Sequence, residues 1–216
     1  ILLKNIAYKK KNNTKEKESF ETRMRIFGYT QEDITTIISP MLVNGKEAIG
    51  SMGIDTPLAV LSDKPQLLFS YFKQLFAQVT NPPLDGIREE IVTDISLTLG
   101  EEFNLFEISD KHARKLFIEN PIISNEDLDK ILCLDQNNLK AVKIPILYEV
   151  DMGFNGIEIS LDEIATNIEN EISNGANIII LSDRGVSSTL APIPVLLATS
   201  HVHNYFKRHK KRSSFG

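Results

Sequence analysis

The chain has 216 residues, is 42% hydrophobic and 25% charged, and carries a net charge of −5 with a single cysteine. That length suits one good-sized core or two small ones, while the lone Cys133 excludes an internal disulfide and any zinc or iron–sulfur framework read from cysteine spacing. No apolar run approaches the roughly 20 residues a membrane helix needs, and no charged-then-apolar signal segment opens the sequence.

The charge is unevenly placed. Residues 1–18 hold six Lys against two Glu, and Lys207 to Arg212 add five basic residues, so the body between is strongly acidic. An acidic body argues against a nucleic-acid partner, because neutralising phosphates takes Lys and Arg. Tyr8 to Glu18 has no apolar periodicity and repeated like charge, so residues 1–18 read as a charged, mobile linker ahead of a domain over 19–216. Ile1 in place of a start methionine, and Ser213-Ser214-Phe215-Gly216 at the other end, are expected of a piece of a longer polypeptide.

Phe20, Met24 and Phe27 recur at helical spacing, with Gly28 placed to end that helix in a left-handed conformation. Thr30 and Asp33 form a capping pattern before Ile34, Ile37, Ile38 and Met41, which Pro40 interrupts or restarts for want of an amide donor. Ser62 is expected to cap the strongest helix, its apolar face running from Leu67 to Val79, and Asn81-Pro82-Pro83 stops it at a rigid corner. Short strands are expected at 95–99 and 105–108. Asp110 and Ser124 are expected to cap helices over 113–116 and 127–132.

The last third is patterned more clearly. Val142 to Val150 reads as a strand, and Ser160 with Glu163 caps a helix bearing Leu161, Ile164, Ile168 and Ile172, which Asn174-Gly175 ends. Ile178 to Leu181 is a continuous apolar run, as in a parallel strand covered on both faces, and a helix follows over 193–206. The sum is an α/β chain with a helical N-terminal half and a β-α-β-α C-terminal half, whose loops at the carboxyl ends of strands are the natural place for a site.

Ser182-Asp183-Arg184-Gly185 lies in such a loop. Two readings stay open: Asp183 and Arg184 bind phosphate or a substrate carboxylate, or they form a loop anchor at a domain boundary. Met52 and Gly53 sit in a turn that Gly, Asp55 and Pro57 explain by backbone preference alone. Gln78, Thr80 and Asn81 read as a helix C-terminus. Arg88-Glu89-Glu90 reads as a solvated face, and Phe206 to Arg212 as a solvated basic helix end. His201 and His203, two apart on a helix, point in different directions and do not form a metal pair. Cys133, beside Leu132 and Leu134, reads as a buried small apolar residue.

Residues 51–90, with their order of loop, helix and double-proline stop, resemble the central segment of the glutamate synthase large subunit. The resemblance begins at Phe27-Gly28-Tyr29-Thr30 and passes through Pro40-Met41 and Asn44-Gly45-Lys46-Glu47. It resumes at Ile180 to Val186, continues into Ala191-Pro192-Ile193-Pro194, and spans roughly residues 20 to 206. One departure is His203-Asn204-Tyr205, where the family commonly has consecutive histidines.

That resemblance implies an incomplete or degenerate (β/α) barrel-like domain without catalytic, cofactor-binding or metal residues of its own. It implies a parent enzyme that carries FMN and an iron–sulfur cluster and converts L-glutamine and 2-oxoglutarate, with reductant, to two L-glutamate. The segment would link the glutaminase and FMN-binding domains of that chain and line part of an ammonia tunnel. Met52, Gly53, Gln78, Thr80, Asn81, Asp183 and Arg184 are the candidate tunnel or interdomain residues. A reductase subunit or ferredoxin would serve the parent, in the cytoplasm or a plastid stroma, with no nucleic acid and no membrane involved. The alternative is an independent barrel-type enzyme or anion-binding module using the Ser182 to Gly185 loop.

Overall fold

In the computed structural model, residues 1–7, 18–48, 57–72, 79 and 81–216 are described. In chain order the elements are helix α1 (Phe20–Ile26), a π-helical segment (Asp33–Ile38) running into α2 (Ser39–Asn44), α3 (Gly86–Val92), strand β1 (Leu97–Leu99), β2 (Leu116–Ile118), α4 (Asn125–Leu132), β3 (Asp135–Gln136), β4 (Leu139–Pro145), β5 (Leu147–Glu149), α5 (Gly153–Ser173), β6 (Ile178–Ser182), β7 (Leu190–Pro192) and α6 (Val195–Arg208).

A three-stranded sheet, β3-β4-β6, organises the C-terminal half, with β4 and β6 parallel and Ala141 opposite Ile178. Side chains alternate across a strand, and here both faces are covered. Leu139 and Ala141 of β4, with Ile178 and Ile180 of β6, join one apolar cluster with Ile6, Leu116, Ile118, Ile131 and Leu134. Val142 and Ile144 of β4, with Ile179 and Leu181 of β6, face the other way, toward Leu161, Ile164 and Ile168 of α5 and Ala198, Val202 and Phe206 of α6. The expected β-α-β-α unit is present, and its uninterrupted Ile-Ile-Ile-Leu run is explained by burial on both sides.

Local choices set the register. Asn137 and Asn138 both take positive φ (56° and 60°) in the two-residue turn joining β3 to β4, a conformation asparagine tolerates. The Asn177 side chain accepts from the Lys140 amide at 3.0 Å and donates to the Asn138 carbonyl, clamping that hairpin to the start of β6. Burial of Leu161, Ile164, Ala165 and Ile168 at helical spacing holds α5 on the sheet; each fully buried Leu or Ile is worth about 1.5–3 kcal/mol.

Several expectations are corrected. The strand expected over 142–150 is two strands, β4 and β5, and β5 pairs with β7, which lacked a clear sequence signal. Ser160 is no cap: α5 starts seven residues earlier, at Gly153, through a glycine-containing stretch that reads as loop. Gly156 is needed there because a Cβ would lie 2.8 Å from the Met152 Cβ and 3.0 Å from the Glu149 carbonyl oxygen. Leu116 is strand, not helix, with Leu116 and Ile118 buried on one face; Ser109, not Asp110, caps only a short 3-10 turn over Asp110–Ala113. Segment 105–108 forms no strand, and Phe106 and Ile108 are fully exposed. Ser62 accepts from the Lys64 amide in a local turn, and a 3-10 turn at Leu68–Tyr71 replaces the described part of the expected long helix, whose residues 73–78 lie outside the described residues. Cys133 is exposed at the end of α4.

Other expectations hold. Gly28 takes φ 76° just past the end of α1, whose start is capped by Ser19, a cap not named among the expectations. Thr30 and Asp33 bond reciprocally, the Thr30 amide to Asp33 at 2.8 Å and the Asp33 amide to Thr30 Oγ1 at 3.1 Å, a capping pair for the helix that follows. The Thr30 hydroxyl, which donates to the Asp33 carboxylate at 2.7 Å, and then the Thr30 amide hold that carboxyl below its ordinary pKa. One local expectation fails: Pro40 does not interrupt the helix, because ahead of it the backbone widens into π-helical turns and then continues as α2, which accommodates the missing proline amide without a break. Ser124 caps α4, and Gly175, at φ 87°, follows the end of α5.

The sheets have two, three and two strands, and none closes into a barrel among the described residues. The expected linker falls mostly on residues 8–17, outside the described residues, whereas Ile6 is buried and Leu2 bridges Phe117 of β2.

Candidate functional site

The Ser182 to Gly185 loop leaves the carboxyl end of β6 and is anchored at each step. The Ser182 carbonyl accepts from the Ile146 amide at 2.8 Å, its buried hydroxyl accepts from the Arg184 amide at 3.3 Å, and Val186 is buried. Gly185 takes φ 104°, a left-handed conformation that a side chain would strain. The Arg184 guanidinium donates to Asn125 Oδ1 at 2.6 Å, tying the loop to the first residue of α4, 59 positions away in sequence. Asp183 is half-buried. A guanidinium committed to a neutral amide supports the anchoring reading of this loop over the anion-binding one.

Asn81 is exposed at the corner made with Pro82 and Pro83, where the Leu84 amide donates to the Pro82 carbonyl at 2.8 Å. Asp85 then caps α3 by accepting from the Ile87 and Arg88 amides. So Arg88-Glu89-Glu90 belongs to a helix that the sequence pattern did not announce. Met52, Gly53, Gln78 and Thr80 lie outside the described residues. No hydrogen bond or ion pair among the described residues joins Asn81 to Asp183 or Arg184.

The feature that sequence reasoning missed is the surface of the N-terminal half. Between residues 18 and 92, Ala59 alone among the described residues is buried. Leu42 is 83% exposed, Val43 78%, Ile87 79% and Ile91 73%. Phe20, Met24, Phe27, Tyr29, Ile34 and Ile38 line an apolar groove of about 360 Å³. Scattered apolar residues are ordinary on a surface, but contiguous grooves and helix faces of this kind mark contact sites. Counting apolar residues that periodicity places on a face, and asking which strand could cover them, would have given the signal.

The basic C-terminus is no simple solvated helix end. Lys211 pairs with Glu169 at 2.9 Å, and that bond holds the Glu169 carboxyl below its ordinary pKa. Arg212 lies 4.8 Å from the Phe215 ring and donates to the Phe215 carbonyl at 2.8 Å. Burial and the neighbouring Glu169 push the Tyr205 hydroxyl up. His201 stacks with Tyr205, whereas His203 accepts from Arg212, so the two histidines serve separate contacts. Among the described residues no group of three or more His, Cys, Asp or Glu is arranged to hold a metal ion, and no helix is long and apolar enough to cross a membrane.

Residues 22–216 match the family described as glutamate synthase central domain. The chain is 43% identical over 203 residues to the glutamate synthase [NADPH] large chain of Bacillus subtilis, a match covering 93% of this chain and 13% of that one. It is 40% identical to the glutamate synthase [NADH] of Schizosaccharomyces pombe, covering 88% and 9%. It is also 40% identical to the ferredoxin-dependent glutamate synthase 2 of Synechocystis, covering 84% and 12%. The chain thus spans between 9% and 13% of the length of these relatives. Their names carry three different reductants at nearly equal identity, so this segment is shared across reductant types.

Proposed function

The chain belongs to the glutamate synthase central domain family, and from that premise we propose that it is a non-catalytic connecting domain, holding a glutaminase domain and an FMN-binding domain of one longer chain at fixed separation. The parent reaction in this reading converts L-glutamine and 2-oxoglutarate to two L-glutamate, with ammonia passing internally between the two sites. The observation that carries the reading is the N-terminal half, whose apolar helix faces and groove have no cover among the described residues. Flanking domains would bury them.

The cofactors of the parent do not fit here. An iron–sulfur cluster asks for several thiolates, and the chain has one cysteine. The loop after β6 presents one guanidinium, already held by Asn125, in place of a glycine-rich phosphate cradle. FMN and the cluster therefore belong to other parts of the parent in this proposal, as does the contact with a reductase subunit or ferredoxin.

The tunnel role rests on Met52, Gly53, Gln78, Thr80 and Asn81, neutral residues that would let uncharged ammonia pass without holding it as ammonium. Asp183 and Arg184 are interdomain residues in the same proposal, with Arg184 fixing the loop that a neighbouring domain would meet. The barrel-like character is supported by a strand, a 21-residue helix and a second parallel strand, the repeating unit of such barrels. The domain boundary at 19 and a cytoplasmic or plastid-stroma setting complete the reading.

The isolated 216-residue chain is expected to bind no FMN in a fluorescence titration and to release no ammonia from glutamine. Stoichiometric, tight flavin binding would overturn the division of labour.

A further inference from the structure

Gly216 is bonded to β6 through both of its backbone groups. Its amide donates to the Asn177 carbonyl and its carbonyl accepts from the Ile179 amide, each at 3.0 Å. One residue held between the carbonyl before and the amide after a facing residue is the unit of a parallel ladder. Gly216 therefore stands beside Ile178, on the edge of β6 opposite β4, with its backbone directed as β6 is.

This approach is fixed by packing. Phe215 is buried with its ring 4.9 Å from that of Phe206, and the Ser213 carbonyl accepts from the Glu102 amide at 2.7 Å. A Cβ on Gly216 would lie 2.6 Å from the Gly100 amide nitrogen, so only glycine passes between that backbone and β6 without displacement. Beyond Ile178, β6 presents Ile179, Ile180 and Leu181, apolar residues whose side chains reach both clusters. Strands left at an edge are normally blunted by charge, proline or a bulge; an uncharged run covered on both faces is the pattern of a sheet interior. The relatives are several times longer than the segment they share with this chain.

We propose that, in the full-length protein, the polypeptide following Gly216 continues as a strand parallel to β6, making β6 the central strand between β4 and the new one. The amides of Ile179 and Leu181 point to the same edge, because strand residues two apart are equivalent. The Leu181 amide then donates to the second residue past Gly216, and that residue stands beside Ile180. The connection onward is a shared sheet, which transmits orientation rigidly where a free linker would not.

Hydrogen exchange on the full-length protein reads this directly. The Leu181 amide is expected to exchange at least about a hundredfold more slowly than an unprotected amide. Cysteines at Ile180 and at the second residue past Gly216 are expected to form a disulfide on mild oxidation, since neighbouring strands are about 4.8 Å apart. Cysteine at the first residue past Gly216, on the opposite face, is expected to give none. Free exchange at Leu181 overturns the proposal, and so does protection without the cross-link at the stated pairing.

Discussion

Phe206→Ala is expected to lower the stability of the domain by about 3–5 kcal/mol, the usual cost of emptying a buried aromatic site. Phe206 is fully buried, and its ring lies 5.2 Å from Tyr205 and 4.9 Å from Phe215, at the junction of α6 with the C-terminal segment. Three layers lose contacts at once: α6, the Phe215 anchor, and through Gly216 the outer edge of β6. A domain of ordinary stability has about 5–15 kcal/mol in total, so the urea midpoint should fall by about a fifth of its value or more. Phe206→Leu, which fills most of the volume, should recover much of that loss. A midpoint unchanged by the alanine substitution would mean that the C-terminal segment is not docked as described.

The second large effect concerns the exposed face of α3. Ile87 and Ile91, four residues apart on one helix face, are 79% and 73% exposed. In the isolated chain, Ile87→Asp with Ile91→Asp should change stability by no more than about 0.5 kcal/mol per site, as for other surface substitutions. On the connecting-domain proposal, the same pair in the full-length protein would place two carboxylates in an apolar contact, where an unpaired buried charge costs about 3–5 kcal/mol. The expected result is uncoupling: glutamine nitrogen appears as free ammonia in place of glutamate, while hydrolysis of glutamine continues. Ammonia release and glutamate formation, measured together, check it. Tight coupling in the double variant would remove α3 from the interface.

How much could be read from the sequence follows from where burial decides the pattern. The C-terminal unit was legible because Ile178 to Leu181 and the Leu161, Ile164, Ile168 stripe are each buried against a layer of this same chain. Reciprocal caps such as Thr30 with Asp33 were legible because they are local. The 67–79 stripe suggested a strong helix, yet in its described part Leu67, Phe69 and Phe72 are exposed and the backbone makes only a 3-10 turn. Periodicity records what a segment will bury, and a segment that buries its face on another domain gives the same signal without the same structure. The break that separates β5 from β4, and strand β7, were missed because three residues are too few to show a period of their own. For the site, the loop that carries Arg184 was legible as the carboxyl end of β6, but the partner of Arg184, Asn125, is remote in sequence and no local pattern points to it.

The most direct measurement is hydroxyl-radical footprinting of Leu42, Val43, Ile87 and Ile91 in the isolated chain and in the full-length protein. The connecting-domain account predicts strong labelling of these side chains in the isolated chain and marked protection in the full-length protein. Equal labelling in both would contradict it, because the apolar surface would then have no domain resting on it.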